Sequence, residues 1–249
     1  MKPTEPRVAV VTGAARGIGR ATALTFARKG IVPIVIDLDG SSGQSVVSEI
    51  GALGVNTICI TADISDVASI TGALEEAVRE FGSVDILVNN AGILSTTLVA
   101  DLTEDEWDTT LGINLKGAVF ATQQALRYMV PRKWGRIINI SSMAGRMGGI
   151  STGCAYTASK AALIGLTMRI AREVAGAGVT VNAIAPGTAE TEMVLGFTDE
   201  ARRELEKSIP TGRLIDPNDI AETAAFLASD AARSITGAVI DINGGMFMG

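Results

Sequence analysis

Tyr156 and Lys160 stand four residues apart in Ala155-Tyr156-Thr157-Ala158-Ser159-Lys160-Ala161-Ala162-Leu163, a run whose composition predicts a helix. That spacing puts both side chains on one helical face. A cation beside a phenol favours the phenolate. At about 4 Å and an effective dielectric near 20 the attraction is about 4 kcal/mol, or about three pK units against an ordinary value near 10, before desolvation is counted. The pair could therefore carry acid/base chemistry near neutral pH. Histidine, the commonest general base, is absent from the chain, so any proton transfer must use another group. Alone, a Tyr/Lys pair on a helix is more often a surface pair, and the functional reading depends on its neighbours in the fold.

A second constellation lies near the N-terminus, where Thr12-Gly13-Ala14-Ala15-Arg16-Gly17-Ile18-Gly19 joins the apolar run from Val8 to a helical stretch over Arg20–Arg28. An open backbone at a helix N-terminus offers N–H groups and a positive dipole end to a pyrophosphate. By analogy with the dinucleotide fingerprint, Gly13 makes the tight turn, Gly17 admits the phosphates and Gly19 lets helix and strand approach. The spacing G-x-x-x-G-x-G is a variant of the usual fingerprint, and a purely structural turn is the competing reading. Asp37 supports the functional one: it ends the second apolar run 24 residues after Gly13, where a carboxylate can accept hydrogen bonds from an adenosine ribose and would repel a 2′-phosphate. NAD is therefore expected over NADP. Arg16 complicates that expectation, since it could favour NADP, lie over the adenine or face solvent.

These residues need a scaffold, and β-branched apolar runs alternating with amphipathic stretches supply one. Strands are predicted at Arg7–Thr12, Val32–Asp37, Val55–Thr61, Ile86–Asn89, Arg136–Ser141, Val179–Ala185 and Val239–Ile242, with helices between them. Near-continuous apolar strands imply burial on both faces. Right-handed crossovers then give a doubly wound parallel α/β sheet of the Rossmann type, with about seven strands, helices on both faces and ligands beyond the strands' carboxyl ends. The 249 residues are expected to form one domain. The segment of about 188–210 lacks a clean apolar period and is read as a substrate lid, against the alternative of a surface helical hairpin.

Composition narrows the function classes. A net charge of −6 disfavours nucleic acid as a partner. No apolar stretch approaches bilayer length and no secretory segment leads the chain, so a cytoplasmic location is expected. Without histidine, and with only Cys59 and Cys154 as thiols, the chain lacks the ligands of a zinc dehydrogenase site, and no metal is expected. Cys59 reads as a buried, reduced thiol.

In order along the chain, Thr12–Gly19, Asn89-Asn90-Ala91-Gly92, Ser141-Ser142, Tyr156-x-x-x-Lys160 and Pro186-Gly187 resemble the short-chain dehydrogenase/reductase family, as do the late Ile235-Thr236-Gly237 and Asn243-Gly244-Gly245. The resemblance covers nearly the whole chain. The family's carboxyl end more often reads Asp-Gly-Gly, so Asn243 departs from it. The resemblance implies an oxidoreductase that moves a hydride between a nicotinamide and a secondary alcohol or ketone. Tyr156 is then the acid/base, Lys160 lowers its pKa and binds the nicotinamide ribose, and Ser142 holds the substrate oxygen. Asn114 would support a proton-carrying water, and Ser141 would be structural. For the cofactor the same resemblance implies contacts from Gly13, Arg16, Gly17, Ile18 and Gly19, from Asp37 and Leu38, from Asp63 and Ile64, and from Asn90, Ala91 and Gly92. Pro186, Gly187, Ala189 and Thr191 would meet the nicotinamide end. Asn89 would stabilise the sheet.

Leu94, Met143, Met147, Cys154 and Met193, with Leu195 and Phe197, are candidate pocket walls for a small, largely apolar ketone, secondary alcohol or polyol. Ser142 and Tyr156 lie 14 residues apart, one more than in many family members, and the extra residue falls in the glycine-rich Gly145–Gly153 loop, where it would alter pocket shape. The family's acyl-carrier-protein ketoreductases are the named alternative. Against it stand Asp37, since those reductases generally use NADPH, and Ala177, where they often carry a basic carrier-docking residue. A non-catalytic NAD-binding regulator is a further alternative. Family habit implies a homotetramer.

Overall fold

A computed structural model describes residues 6–191 and 198–249. Its centre is a seven-stranded, all-parallel sheet in the order β3-β2-β1-β4-β5-β6-β7. The strands are β1 (Val8–Thr12), β2 (Val32–Asp37), β3 (Cys59–Thr61), β4 (Ile86–Asn89), β5 (Gly135–Ile140), β6 (Val179–Pro186) and β7 (Val239–Ile242). The order reverses between β1 and β4, which opens a crevice at their carboxyl ends, the place where doubly wound sheets take ligands.

Period-2 alternation sends successive side chains to opposite faces. Ala9, Val11, Ile138 and Ile140 enter the core on one face, beneath α1 (Gly17–Arg28), α2 (Gly40–Ala52) and α9 (Pro217–Ala228). Val8, Val10 and Ile137 enter the core on the other, beneath α3 (Val67–Phe81), α5 (Gly117–Arg132) and α7 (Cys154–Val174).

The third strand is shorter than the sequence predicts, Cys59–Thr61 in place of Val55–Thr61. Proline explains the loss. Val35 donates its N–H to Ile58 O, so residues of that parity on β2 face β3, and the next one toward the N-terminus is Pro33, which has no N–H to give. The Thr57 hydroxyl takes the Pro33 carbonyl instead, and the ladder stops.

A second departure lies between β4 and β5. The helix α4 (Glu104–Leu111) runs into a π-helical turn (Gly112–Lys116) that continues into α5. The glycine-rich Gly145–Gly153 loop is also more regular than expected, since the short helix α6 (Ala144–Met147) occupies its start. Of the predicted lid, 198–210 holds the helix α8 (Asp199–Ser208), capped by Thr198, while Met193, Leu195 and Phe197 lie outside the described residues. Ala189 forms an isolated parallel bridge with Ile215, which ties the start of that segment back to the body.

Among the described residues no helix is long and apolar enough to cross a membrane.

Candidate active site

The glycine loop is shaped by positions that only glycine fills without strain. Gly13 and Gly17 both have positive φ, 62° and 53°. A methyl group on Gly19 would lie 2.1 Å from Gly13 O and 2.9 Å from Ala14 Cα, so α1 crosses the end of β1 at backbone contact. A methyl group on Gly17 would instead meet Thr191 Cγ2 at 3.4 Å, which places Thr191 against the loop. The helix begins at Arg16, an exposed residue whose side chain does not cap it, and its first turn carries no acid. Its first-turn amides therefore receive no side-chain cap.

Thr12 is the hub that fixes this loop against β4, and the motif reading did not single it out. Its hydroxyl donates to Val88 O (3.3 Å) and accepts from the N–H groups of Asn90 and Ala91, both at 3.1 Å. The Asn90 side chain, an expected cofactor contact, donates its amide to Thr12 O and Gly13 O, both at 2.9 Å. Both amide hydrogens are thus spent on the loop, so any ribose contact would have to use the other side of the group. Asn89 donates to Thr122 Oγ1 and Asn139 Oδ1 within the buried sheet face.

Asp37 ends β2 beside the glycine loop and accepts from Ala15 N at 2.9 Å and from Asp39 N at 3.1 Å. Leu38, next to it, is exposed. At the end of β3, exposed Asp63 accepts from the backbone and hydroxyl of Ser65, bonds that hold its carboxyl below the usual range. Ile64 packs under the start of α5, where a side chain at Gly117 would strike Ile64 O.

Ser142, Tyr156, Lys160 and Asn114 converge beyond the carboxyl ends of β4 and β5. The phenol of Tyr156 lies near enough to the Ser142 hydroxyl for its pKa to be drawn down by it, and Ser142 Oγ accepts from Ala144 N at 3.1 Å. Lys160 is buried, and its ammonium donates to Ile140 O at 2.9 Å while lying 5.7 Å from the Tyr156 ring centroid. A side chain on Gly92 would reach Asn114 Oδ1 at 3.1 Å and Lys160 Nζ at 3.3 Å, so Gly92 lies against both groups. Asn114 sits in the π-turn, accepts from Ile93 N (2.8 Å) and donates to Ile93 O (3.0 Å) and to Ser159 Oγ (3.1 Å). Ser141 donates to Lys160 O at 2.8 Å, a bond that docks α7 on β5.

The electrostatics of this corner differ from the sequence expectation. Burial pushes the Tyr156 phenol above its ordinary value, and the Ser142 hydrogen bond draws it only part-way back. Burial lowers Lys160 to about 8. In this arrangement the Lys160 ammonium is turned to Ile140 O, and burial is the leading cause of the phenol's shift.

The candidate pocket walls divide. Met143 is buried, whereas Leu94 and Met147 are 39% and 40% exposed, and Cys154 is exposed at the first turn of α7. Ser95 holds this wall in place: its hydroxyl donates to Glu106 at 2.7 Å and its carbonyl accepts from Gly153 N at 2.7 Å. The carboxyl end is fixed by Asn243, which donates to Phe247 O at 3.1 Å, a bond the ionised aspartate usual in the family could not make. Cys59 is partly buried, and burial raises its thiol pKa. Among the described residues no cluster of three or more His, Cys, Asp or Glu could hold a metal ion.

Comparison with known proteins adds an independent line. A family model described as enoyl-(acyl carrier protein) reductase matches residues 13–247. The 3-oxoacyl-[acyl-carrier-protein] reductase of Staphylococcus aureus (strain N315) is 44% identical over 243 residues, 96% of this chain and 98% of that protein. Its counterpart in Escherichia coli (strain K12) is 42% identical over 245 residues, 98% of each. A crystal structure of a protein named as a short-chain alcohol dehydrogenase of Sinorhizobium meliloti 1021 superposes with a TM-score of 0.92 at 38% identity, covering 98% of this chain and 97% of that one. With matches that run nearly end to end through the glycine loop and the Ser142/Tyr156/Lys160 corner, the chain belongs to the short-chain dehydrogenase/reductase family.

Proposed function

We propose that the protein is an NAD(H)-dependent oxidoreductase that interconverts a secondary alcohol and a ketone, with Tyr156 as the proton donor and acceptor. The observation that carries this reading is the convergence of Ser142 and Tyr156 with buried Lys160, with Gly92 and Asn114 against the ammonium. A nicotinamide dinucleotide, when bound, supplies or takes up the hydride. The chain fits such a group: the uncapped start of α1 and the positive-φ glycines open toward Thr191, and Asp37 stands at the end of β2. Ser142 and Tyr156 then hold the substrate oxygen from two sides, so the charge that develops there meets two fixed donors. Tyr156, a phenol that is protonated at neutral pH and that burial holds more firmly so, gives its proton to that oxygen in reduction and takes one up in oxidation. Lys160 and Asn114 line the path behind the phenol.

The relatives favour a second reading, a 3-oxoacyl-[acyl-carrier-protein] reductase, since two full-length proteins of that name share 42% and 44% of their residues with this chain. Asp37 separates the two, because a carboxylate at the adenosine ribose opposes a 2′-phosphate. Steady-state kinetics with NADH and NADPH, against a panel of free ketones and a 3-oxoacyl thioester on acyl carrier protein, tests both. Higher kcat/KM with NADH on a free ketone is expected. Equal or higher kcat/KM with NADPH, together with preference for the carrier thioester, would replace the first reading with the second.

A further inference from the structure

Resting on the reading of Ser142 as a holder of the substrate oxygen, we propose that Arg146 is a positioning residue for that serine, acting through the short helix α6 and the strand β7. Ser142 Oγ accepts from the N–H of Ala144 at 3.1 Å, and Ala144 is the first residue of α6. Where the hydroxyl points therefore depends on where α6 lies. A helix of four residues does not hold its own place, because so short a helix is stable only through its tertiary contacts.

Those contacts are visible on each side. At its near end Met143 N donates to Pro186 O at 2.8 Å. On its inner side α6 rests on α7 at backbone contact: a methyl group on Gly145 would lie 2.7 Å from the Lys160 carbonyl carbon and 2.8 Å from Lys160 O. Arg146 makes the outer tie. Its Nη2 lies 3.3 Å from Asp241 Oδ2 and donates to Gly249 O at 3.4 Å, and its guanidinium carbon stands 5.0 Å from the Phe247 ring centroid. One side chain thus joins α6 to β7 and to residues 247–249.

The far end of this tie is itself fixed. Asp241 pairs with Ala185 in the β6–β7 ladder. Asn243 folds the segment after it, donating to Phe247 O at 3.1 Å and accepting from Gly245 N at 2.9 Å. The Arg146 and Asp241 side chains are 20% and 19% exposed, so the pair escapes much of the screening that weakens surface pairs. Asp241 Oδ1 is buried with no hydrogen-bond partner among the described residues, so this carboxylate leans on Arg146 for its compensation. Removing the guanidinium frees the outer side of α6 and leaves Asp241 uncompensated, and both effects pass to Ser142 through the Ala144 amide.

A double-mutant cycle between Arg146 and Ser142 tests the proposal, with kcat measured at saturating nucleotide on the carbonyl compound that the parent reduces fastest. Ser142→Ala should itself cost about 10²-fold. Arg146→Met, which keeps an unbranched apolar stem and removes the guanidinium, should lower kcat about tenfold in the parent, as a small misplacement of a substrate-holding group does. In the Ser142→Ala background the same substitution should change kcat by less than about twofold, because the hydroxyl it positions is gone. Asp241→Asn opens the tie from the β7 side and should lower kcat a few-fold in the parent only; it decides the question if Arg146→Met does not fold. An ion pair that merely stabilises the fold would lower Tm with kcat unchanged, or lower kcat equally in both backgrounds, and either result overturns the proposal. A Ser142→Ala variant that turns over within a few-fold of the parent overturns the reading of Ser142 itself, and this inference with it.

Discussion

At the carboxyl ends of β1 and β2 the working surface is backbone and solvent-facing charge: two positive-φ glycines, an uncapped helix start and carboxylates held by short-range hydrogen bonds. Beyond β4 and β5 it is made of side chains taken out of water, with Lys160 and Asn114 buried and the Tyr156 phenol raised by desolvation. The difference teaches what each half can tolerate. The first depends on conformations and close approaches that a Cβ forbids, so its failures should appear as lost fit and lost stability. The second depends on protons held in a poorly solvated corner, so its failures should appear in turnover and in pH dependence.

Tyr156→Phe should separate the halves most sharply. It removes one transferable proton and leaves the glycine loop untouched, so NADH affinity should hold while kcat falls by about 10²–10⁴-fold. Turnover within a few-fold of the parent would take Tyr156 out of the chemistry.

Lys160→Met tests dehydration directly. The lysine's folded value is about 8 against 10.5 for the free group, so between those pH values the unfolded chain binds a proton that the folded chain lacks. Stability of the parent relative to the methionine variant should therefore rise with pH across this window, by roughly 3 kcal/mol in full, and be flat below it. Tyr156 acts with the opposite sign above pH ~10, because a raised phenol keeps its proton in the folded state. Denaturant titrations of both proteins from pH 7 to 10 would read the effect, and a constant difference would show that Lys160 is not held in a dehydrated state.

The smallest expected effect belongs to Gly19→Ala. Its new methyl would meet Gly13 O and Asn90 Nδ2 well inside contact distance, so α1 must move away from β1. A loss of about 1–3 kcal/mol is expected from such overpacking, with weaker NADH binding but kcat at saturating NADH close to the parent's. Thermal unfolding and fluorescence titration would measure the two losses. Unchanged values for both would mean that the loop relaxes freely and that its close fit is incidental.

Much of this was legible in the sequence, and the reasons are local. β2, β4 and β7 were read to the residue because each is an apolar run closed by a polar or turn residue. The Tyr156/Lys160 spacing survives because a helix imposes it. What escaped was set by distant partners. The early end of β3 depends on a proline in the neighbouring strand, the Thr12 hub binds residues 76 to 79 positions away, and the Ser95–Glu106 tie joins a loop to a helix. Spacing is silent on the ammonium for a related reason: helical periodicity puts the two side chains on one face, but Ile140 O in the neighbouring strand takes the lysine's hydrogen bond.

The π-turn at Gly112–Lys116 can be read as a phase shifter in one continuous rod from Glu104 to Arg132. Each residue advances an α-helix by about 100°, so a one-residue surplus rotates everything downstream by that angle relative to everything upstream. The rod can therefore aim α4 at α7 and α5 at α3 and the sheet, two partners that an unbroken helix would need a second apolar stripe to serve. Asn114 lies at the joint with its amide clasped to Ile93, so the angular offset is locked to the loop that borders the Ser142/Tyr156/Lys160 corner.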